Sequence, residues 1–202
     1  MKRSIFTMKS YYIFNLVSVG ILFIGCSLFI GCDTKKNYES MVNEQLQNGV
    51  QNDSLFLDYY FGMSREEFRD YSWQLNQKGV LTGFVDINYE VDFLKSTATM
   101  TFYPEFKDDK IVRIPVTIGY NSWAPWNEQF WPEELAKDLQ EYFENEYDAE
   151  FIQVYVPEIE MQALVSIDGN REIRIYKNAE STVMVDFIDL NNVETVSTEQ
   201  SE

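Results

Sequence analysis

The chain of 202 residues contains no histidine, and this absence excludes many familiar active sites. Ser-His-Asp and Cys-His catalysis, histidine-based zinc sites and imidazole proton shuttles all need that side chain. Carboxylate pairs remain, but Glu66 and Glu67, like Glu133 and Glu134, are neighbours in predicted helices and point in different directions. We therefore predict that the protein is not an enzyme and uses no cofactor.

Cysteine and basic residues are also scarce. The two cysteines, Cys26 and Cys32, both belong to the N-terminal segment, so the rest of the chain has no thiol for disulfides or metal. There are 16 basic and 33 acidic residues, and residues 1–31 hold three of the basic ones and no acidic one, so the remainder carries a net charge of −20. Such a chain is not expected to bind nucleic acid or to dock electrostatically on anionic lipid.

The N-terminus has the pattern of a bacterial export signal. Lys2, Arg3 and Lys9 precede an apolar run at residues 11–24, and a small residue precedes each cysteine. The sequence Leu-Phe-Ile-Gly-Cys occurs twice, ending at Cys26 and at Cys32. It resembles a lipobox, with Phe where Leu is usual, and the resemblance implies a diacylated cysteine at the start of the mature chain.

Cys32 is the preferred lipidation site because the chain after it is polar, whereas Cys26 would leave an apolar stretch at the new N-terminus. The alternative is an uncleaved membrane-spanning helix, since residues 11–31 are long enough to cross a bilayer. Translation from Met8 would give a signal of more usual length. We predict residues 1–31 to be a lipoprotein signal peptide that anchors the protein through palmitate-type acyl chains in the cell envelope, on its periplasmic or its surface-exposed side.

Residues 32–53 are predominantly polar and are predicted to form a tether, with a short helix as the alternative. Asp53-Ser54-Leu55 then matches the short O-glycosylation sequon of Bacteroidetes, which marks Ser54 as a candidate glycosylation site. Residues 191–202 are acidic, rich in Ser and Thr, and are predicted to be a frayed tail.

Periodicity predicts an α+β fold with antiparallel strands. Ser64-Arg65-Glu66-Glu67 is a capping box that opens a helix over residues 64–78, and Pro132 is suited to begin a second helix. Strands are predicted at residues 83–93, 97–104, 111–119, 151–156, 161–167, 171–176 and 182–188, with hairpin turns at residues 107–110 and 168–170. The turn at residues 107–110 lacks EF-hand spacing, and no metal site is predicted.

The order of helix followed by antiparallel strands occurs twice, and the two helices begin about 68 residues apart. We therefore predict two tandem helix-plus-sheet units, residues 54–120 and 121–190, with the helices packed on one face of the sheet.

The segment Phe61-Gly62-Met63-Ser64-Arg65-Glu66-Glu67-Phe68 resembles the helix entry of a superfamily of small α+β bacterial lipoproteins. That superfamily includes the small lipoprotein subunit of the outer-membrane β-barrel assembly machinery, and the tandem β-lactamase inhibitor protein shares its fold. The resemblance covers about eight residues. It implies a small α+β lipoprotein and does not carry over either partner; the duplicated order is closer to the tandem inhibitor, which relies on disulfides that this chain lacks.

An aromatic segment between the two predicted units is the candidate binding site. It comprises Tyr120, Trp123, Trp126, Phe130 and Trp131. These rings either plug the junction between the units or form an exposed platform for a protein or a glycan, because Trp and Tyr are frequent in both kinds of site. Trp123 and Trp126 are predicted to be exposed and Trp131 buried. The predicted function is a non-catalytic envelope binding or scaffolding protein, with inhibitor-like gripping of a partner enzyme and glycan binding as alternatives.

Overall fold

The computed structural model describes residues 33–192, in which three α-helices pack against a nine-stranded antiparallel sheet. The helices are α1 (Asp33–Gln47), α2 (Arg65–Gln77) and α3 (Pro132–Tyr147). The strands are β1 (Leu81–Thr82), β2 (Ile87–Val91), β3 (Ala98–Phe102), β4 (Glu105–Lys107), β5 (Lys110–Tyr120), β6 (Ile152–Val156), β7 (Met161–Asp168), β8 (Arg171–Lys177) and β9 (Val183–Asp189). The predicted α+β class is confirmed.

Two antiparallel meanders meet in the middle of the sheet. The strand order is β1-β2-β3-β5-β9-β8-β7-β6, and the short β4 pairs with the start of β5. The pairing of β5 with β9 runs from Arg113 opposite Ile188 to Ile118 opposite Val183. As a result, β1 and β6 lie at opposite edges of one continuous sheet.

Helix α2 begins where the sequence predicts, because its capping box forms. The Ser64 hydroxyl accepts a hydrogen bond from the Glu67 amide at 3.2 Å, and the Glu67 carboxylate accepts one from the Ser64 amide at 2.8 Å. The Ser64 hydroxyl also donates to the Glu67 carboxylate at 2.6 Å, and this bond, together with the one from the Ser64 amide, holds the pKa of Glu67 below its usual range.

Helices α2 and α3 lie on the same face of the sheet and share one core with it. Phe68 and Leu75 of α2 and Leu135, Leu139 and Phe143 of α3 are buried in this core. Strand residues with the same orientation complete it, namely Met100, Phe102, Ile114, Val116, Ile118, Ile173, Ile175, Val183, Val185 and Phe187. The predicted start of the second helix at Pro132 and its apolar face are confirmed.

Helix α1 lies on the opposite face, and this differs from the prediction. Tyr38 and Val42 are buried against Val154, Val156 and Val165 of β6 and β7. The apolar side chains of the helix recur at helical spacing (Tyr38, Met41, Val42, Leu46), so one stripe faces the sheet although most neighbouring residues are polar. The predicted tether at residues 32–53 is therefore wrong for residues 33–47, where the alternative, a short helix, is what forms.

The strand predicted at residues 83–93 is interrupted. Gly83 has a φ of +83°, and a Cβ at this position would lie 2.1 Å from the carbonyl oxygen of Asp86. The chain therefore makes a tight turn between β1 and β2, which only glycine permits at that position. The predicted hairpins at residues 107–110 and 168–170 are confirmed.

Several predictions concern residues outside the described range. The signal peptide with Cys26 and Cys32, and residues 193–202 of the tail, are among them. Within residues 33–192, no helix combines the length and apolar character that crossing a membrane requires.

Candidate functional site

The aromatic segment of residues 120–131 does not form one surface, because its side chains point in different directions. Tyr120 is buried, and Phe130 packs against it and against the main core with the ring centroids 5.2 Å apart. Trp126 is 86 % exposed, and Trp131 is 37 % exposed, so the predicted burial of Trp131 is wrong. The alternative in which these rings fill the core at the junction is therefore met by Tyr120 and Phe130 only.

Tyr120 closes the end of β5 against α3. Its hydroxyl donates a hydrogen bond to Asp138, which also pairs with Lys95 at 2.9 Å. Burial, together with the neighbouring carboxylate of Asp138, raises the pKa of Tyr120. This residue has a structural contact and is not free to bind a ligand.

Trp123 stands between core and surface. Its side chain is half-buried, and its indole N–H is buried without a hydrogen-bond partner among the described residues. The ring borders an open hollow of about 330 Å³ that extends over β3 and β5.

That hollow belongs to a part of the sheet that no element of residues 33–192 covers, which we call the uncovered face. The face is formed by the outward residues of β2, β3 and β5, namely Asn88, Glu90, Thr99, Thr101, Thr117 and Gly119. It lies on the same side of the sheet as α1, but α1 packs over the other half, against β6 and β7 and, through Tyr38, against Glu172 of β8. The uncovered face therefore leaves a polar, threonine-rich surface open to solvent.

Hydrogen bonds order the polar side chains of this face. Thr101 donates to Asn88 at 2.7 Å, and Thr99 donates to Asn121 at 2.7 Å. Asn121 in turn donates to Glu90 at 3.3 Å. Because the side chains are held in place before contact, a partner would meet hydroxyl and amide groups with little loss of side-chain entropy.

A second concave feature lies on the opposite face, between α2 and the first two strands. We call it the aromatic cleft; its volume is about 390 Å³, and its apolar lining is Phe68, Trp73, Leu81, Phe84, Ile87 and Tyr103. Leu81, Ile87 and Phe68 form a buried floor, while Trp73 and Phe84 are 53 % and 75 % exposed.

Local structure explains why these two rings are exposed. The turn at Gly83 projects Phe84 toward α2, where its ring stacks on Trp73 with the centroids 6.3 Å apart. Asn76 donates to the carbonyl oxygen of Leu81 at 3.1 Å and ties the end of α2 to β1. The cleft is therefore bounded by a helix and a strand that are joined at one end.

The aromatic cleft is not among the sites predicted from the sequence, although two signals for it are present. Trp73 is a large apolar residue away from the helix face formed by Phe68, Tyr71 and Leu75. Phe84 is the apolar exception in an otherwise polar row at residues 84, 86, 88, 90 and 92. An apolar ring on a polar face, in each of two neighbouring elements, indicates a surface for contact.

The remaining predicted site is Ser54. It is exposed, and its backbone pairs with Tyr60, while its carbonyl oxygen accepts a hydrogen bond from Arg171 at 2.9 Å. Its glycosylation stays a prediction. Over residues 33–192, no group of three or more Cys, Asp or Glu side chains is arranged to hold a metal ion.

Comparison with known proteins adds no relative: no family model, curated protein or solved structure matches this chain. The resemblance of the helix entry to the small α+β lipoproteins therefore stays a prediction.

Proposed function

We propose that this protein is a non-catalytic, lipid-anchored binding protein of the bacterial cell envelope that holds a protein partner on the uncovered face of its sheet. The observation that carries the proposal is the unequal cover of one side of the sheet. Helix α1 buries the part over β6 and β7, whereas the part over β2, β3 and β5 is open.

The chemistry of the open part favours a polar contact. Where α1 packs, the strands present Val154, Val156 and Val165. On the uncovered face the corresponding positions are Thr, Asn and Glu, which suit a hydrated interface rather than a second packed helix. Such an interface is typical of a partner that is bound and released.

The anchor and the fold together suggest an orientation. A lipid on Cys32 would be attached one residue before α1, which begins at Asp33 and packs at the β6 side of the sheet. The β6 edge would then face the membrane and the β1 edge would face away from it. With strands about 4.8 Å apart, the seven spacings from β6 to β1 span roughly 34 Å.

The internal order of elements supports an inhibitor-like variant of this function. We propose that residues 54–120 and 121–190 are tandem units, since α2 precedes β1 to β5 and α3 precedes β6 to β9. The two meanders then join through β5 and β9 into one broad sheet, which offers a partner enzyme a wider surface than either unit alone.

The anchor is tested by metabolic labelling with an alkyne analogue of palmitate. The wild-type chain should be labelled and recovered with membranes, and Cys32→Ala should lose both properties. Cys26→Ala, the matched control, should keep them. If the label follows Cys26 instead, the proposed attachment site is wrong, and if neither variant changes the label, the lipoprotein proposal fails.

The partner surface is tested by crosslinking in intact cells. A photoreactive amino acid at Thr101 or Thr117 should give a discrete crosslinked species of one partner, because both side chains point from the uncovered face. Gln153, an exposed position on β6, is the control site and should not give that species. Identical species from all three positions would contradict a specific role for this face.

Glycan binding is a second candidate, favoured by Trp123 beside the hydroxyl row. An indole can stack on a sugar ring while Thr99 and Asn121 bond its hydroxyl groups. Binding to immobilised envelope polysaccharide should then fall in Trp123→Ala and persist in Trp126→Ala, whose ring lies outside the hollow. Equal binding by the two variants would remove Trp123 from the site.

A further inference from the structure

We propose that the aromatic cleft is a binding site for a small amphipathic monocarboxylate, a molecule with an apolar body and a single carboxylate. This site is separate from the uncovered face, because it lies on the other side of the sheet and is built by α2, β1 and β2. It therefore does not depend on the function proposed above.

The size and lining of the cleft suit an apolar body of small-molecule size. Its volume of about 390 Å³ is within the usual range for ligand sites. The floor is buried, and the walls are the rings of Trp73 and Phe84. A ligand lying between floor and walls would cover apolar surface that water now contacts, and this burial is the main source of affinity.

The charged groups of the cleft determine the polar end of the ligand. Arg65 and Arg69 both line it, one helical turn apart on the same face of α2, and Asp70 is the third charged residue of the lining. Of the charged side chains that line the cleft, two are positive and one is negative, in a chain whose net charge is −17. A ligand with one negative charge matches the excess positive charge of the lining, whereas a dianion would be repelled by the acidic residues around the cleft, which include Asp109 and Glu66.

These two arginines differ from the other arginines of the described chain. Arg113, Arg171 and Arg174 have side chains that are 32 %, 7 % and 6 % exposed and are engaged by acidic residues of the sheet. Arg65 and Arg69 are 53 % and 70 % exposed.

The present partners of the two cleft arginines are weak competitors for a ligand. Arg65 is 3.6 Å from Asp109 and lies over the ring of Phe106. Arg69 is 3.4 Å from Asp70 and 4.0 Å from Glu66. Ion pairs this exposed contribute little to stability, so a carboxylate held at the cleft rim by its apolar body can replace them.

The test compares three ligands with one body and different charge: 4-phenylbutyrate, 4-phenylbutanamide and 4-phenylbutylamine. The full chain is reconstituted in phosphatidylcholine nanodiscs and titrated in a calorimeter, with empty nanodiscs as the blank. We expect saturable binding of the carboxylate, about tenfold tighter than that of the amide, and no binding of the amine. Hexanoate in the same titration distinguishes a preference for an aromatic ring from one for an aliphatic chain.

Variants locate the site. Arg65→Gln/Arg69→Gln should reduce the carboxylate affinity to that of the amide and leave the amide unchanged. Lys137→Gln/Lys177→Gln removes two exposed positive charges elsewhere and should change neither affinity. Trp73→Ala should weaken binding of both the carboxylate and the amide, whereas Trp126→Ala should weaken neither. Circular dichroism and the melting temperature confirm folding, which the exposure of all these side chains favours.

The proposal fails if the folded wild-type chain shows no saturable heat of binding with the carboxylate. It also fails if the amide or the amine binds as tightly as the carboxylate, or if the two double variants behave alike.

Discussion

The hydroxyl of Tyr38 donates a hydrogen bond to the carboxylate of Glu172, 3.0 Å away, and so joins α1 to β8. Glu172 is fully buried and forms an ion pair with Arg174 on the same strand, and Arg174 also donates to the Tyr38 oxygen. A helix that the sequence suggests is a tether is therefore held by a buried charged group.

Loss of that hydroxyl should weaken the docking of α1. In Tyr38→Phe the ring still packs on Val42 and its neighbours, but Glu172 and Arg174 each lose a partner in a buried site. We expect the free energy of unfolding to fall by about 1–3 kcal/mol. Urea denaturation followed by circular dichroism measures it, with Tyr155→Phe, a partly exposed tyrosine on β6, as the control. Equal stability of wild type and Tyr38→Phe would show that this hydrogen bond makes no net contribution to the free energy of unfolding.

The ion pair itself should behave asymmetrically. Glu172→Gln leaves the Arg174 charge buried, with only the partly exposed Glu158 at 3.8 Å as an acidic partner, so we expect a loss of about 3–5 kcal/mol. The double variant Glu172→Met/Arg174→Leu removes both charges and should be more stable than the single variant. Guanidinium unfolding of the three chains checks this order. A double variant less stable than Glu172→Gln would mean that the pair contributes more than its desolvation costs.

The capping box of α2 should contribute locally. Ser64→Ala removes the hydroxyl that accepts from the Glu67 amide, and we expect a loss of about 1 kcal/mol. Thermal unfolding measures it. Ser54→Ala, at an exposed serine outside any helix, is the matched control and should leave the melting temperature unchanged. The prediction is wrong if Ser64→Ala and Ser54→Ala have the same melting temperature.

Stability should fall on the alkaline side because of buried tyrosines. Burial, partly opposed by a 2.8 Å hydrogen bond with Ser72, raises the pKa of Tyr59 to about 12, and an unfolded tyrosine titrates near pH 10. The unfolded chain then releases a proton that the folded chain retains. The stabilisation is complete below about pH 10 and is lost as the pH rises toward 12.

The measurement is a series of urea titrations between pH 8 and pH 11. Tyr59→Phe should lose less stability over this range than the wild type. Parallel curves for the two chains would show that Tyr59 does not titrate as described.

Local sequence was sufficient to predict the elements that carry their own boundary signals. The capping box at Ser64 and the proline at Pro132 each mark a helix start, because they satisfy or remove backbone groups at that position whatever lies elsewhere. The hairpin at Asp108 and Asp109 is of the same kind, since both residues adopt positive φ. The predicted burial of Trp131 was wrong because the burial of a side chain depends on residues far away in the chain. In the structure Pro132 is buried and Trp131, next to it, is exposed.

The candidate sites follow the same division. The sequence identified Trp123 and Trp126 as members of a segment rich in aromatic residues, but it did not show which of these rings would be buried in the core. Trp73 and Phe84 are 11 residues apart and in different elements, and they meet only because the turn at Gly83 folds one toward the other. The uncovered face likewise requires strand order, which a list of strands does not supply.

The sequence by itself determined the acidic character of the domain, the absence of histidine chemistry, the α+β class and the starts of α2 and α3. These properties depend on composition and on hydrogen bonds within a few residues of each other. Only the tertiary structure decided that α1 docks, which half of the sheet remains open and that an aromatic cleft exists. Each of these depends on contacts between residues far apart in the chain, such as Tyr38 and Glu172, and their free energies are settled only once the whole sheet has formed.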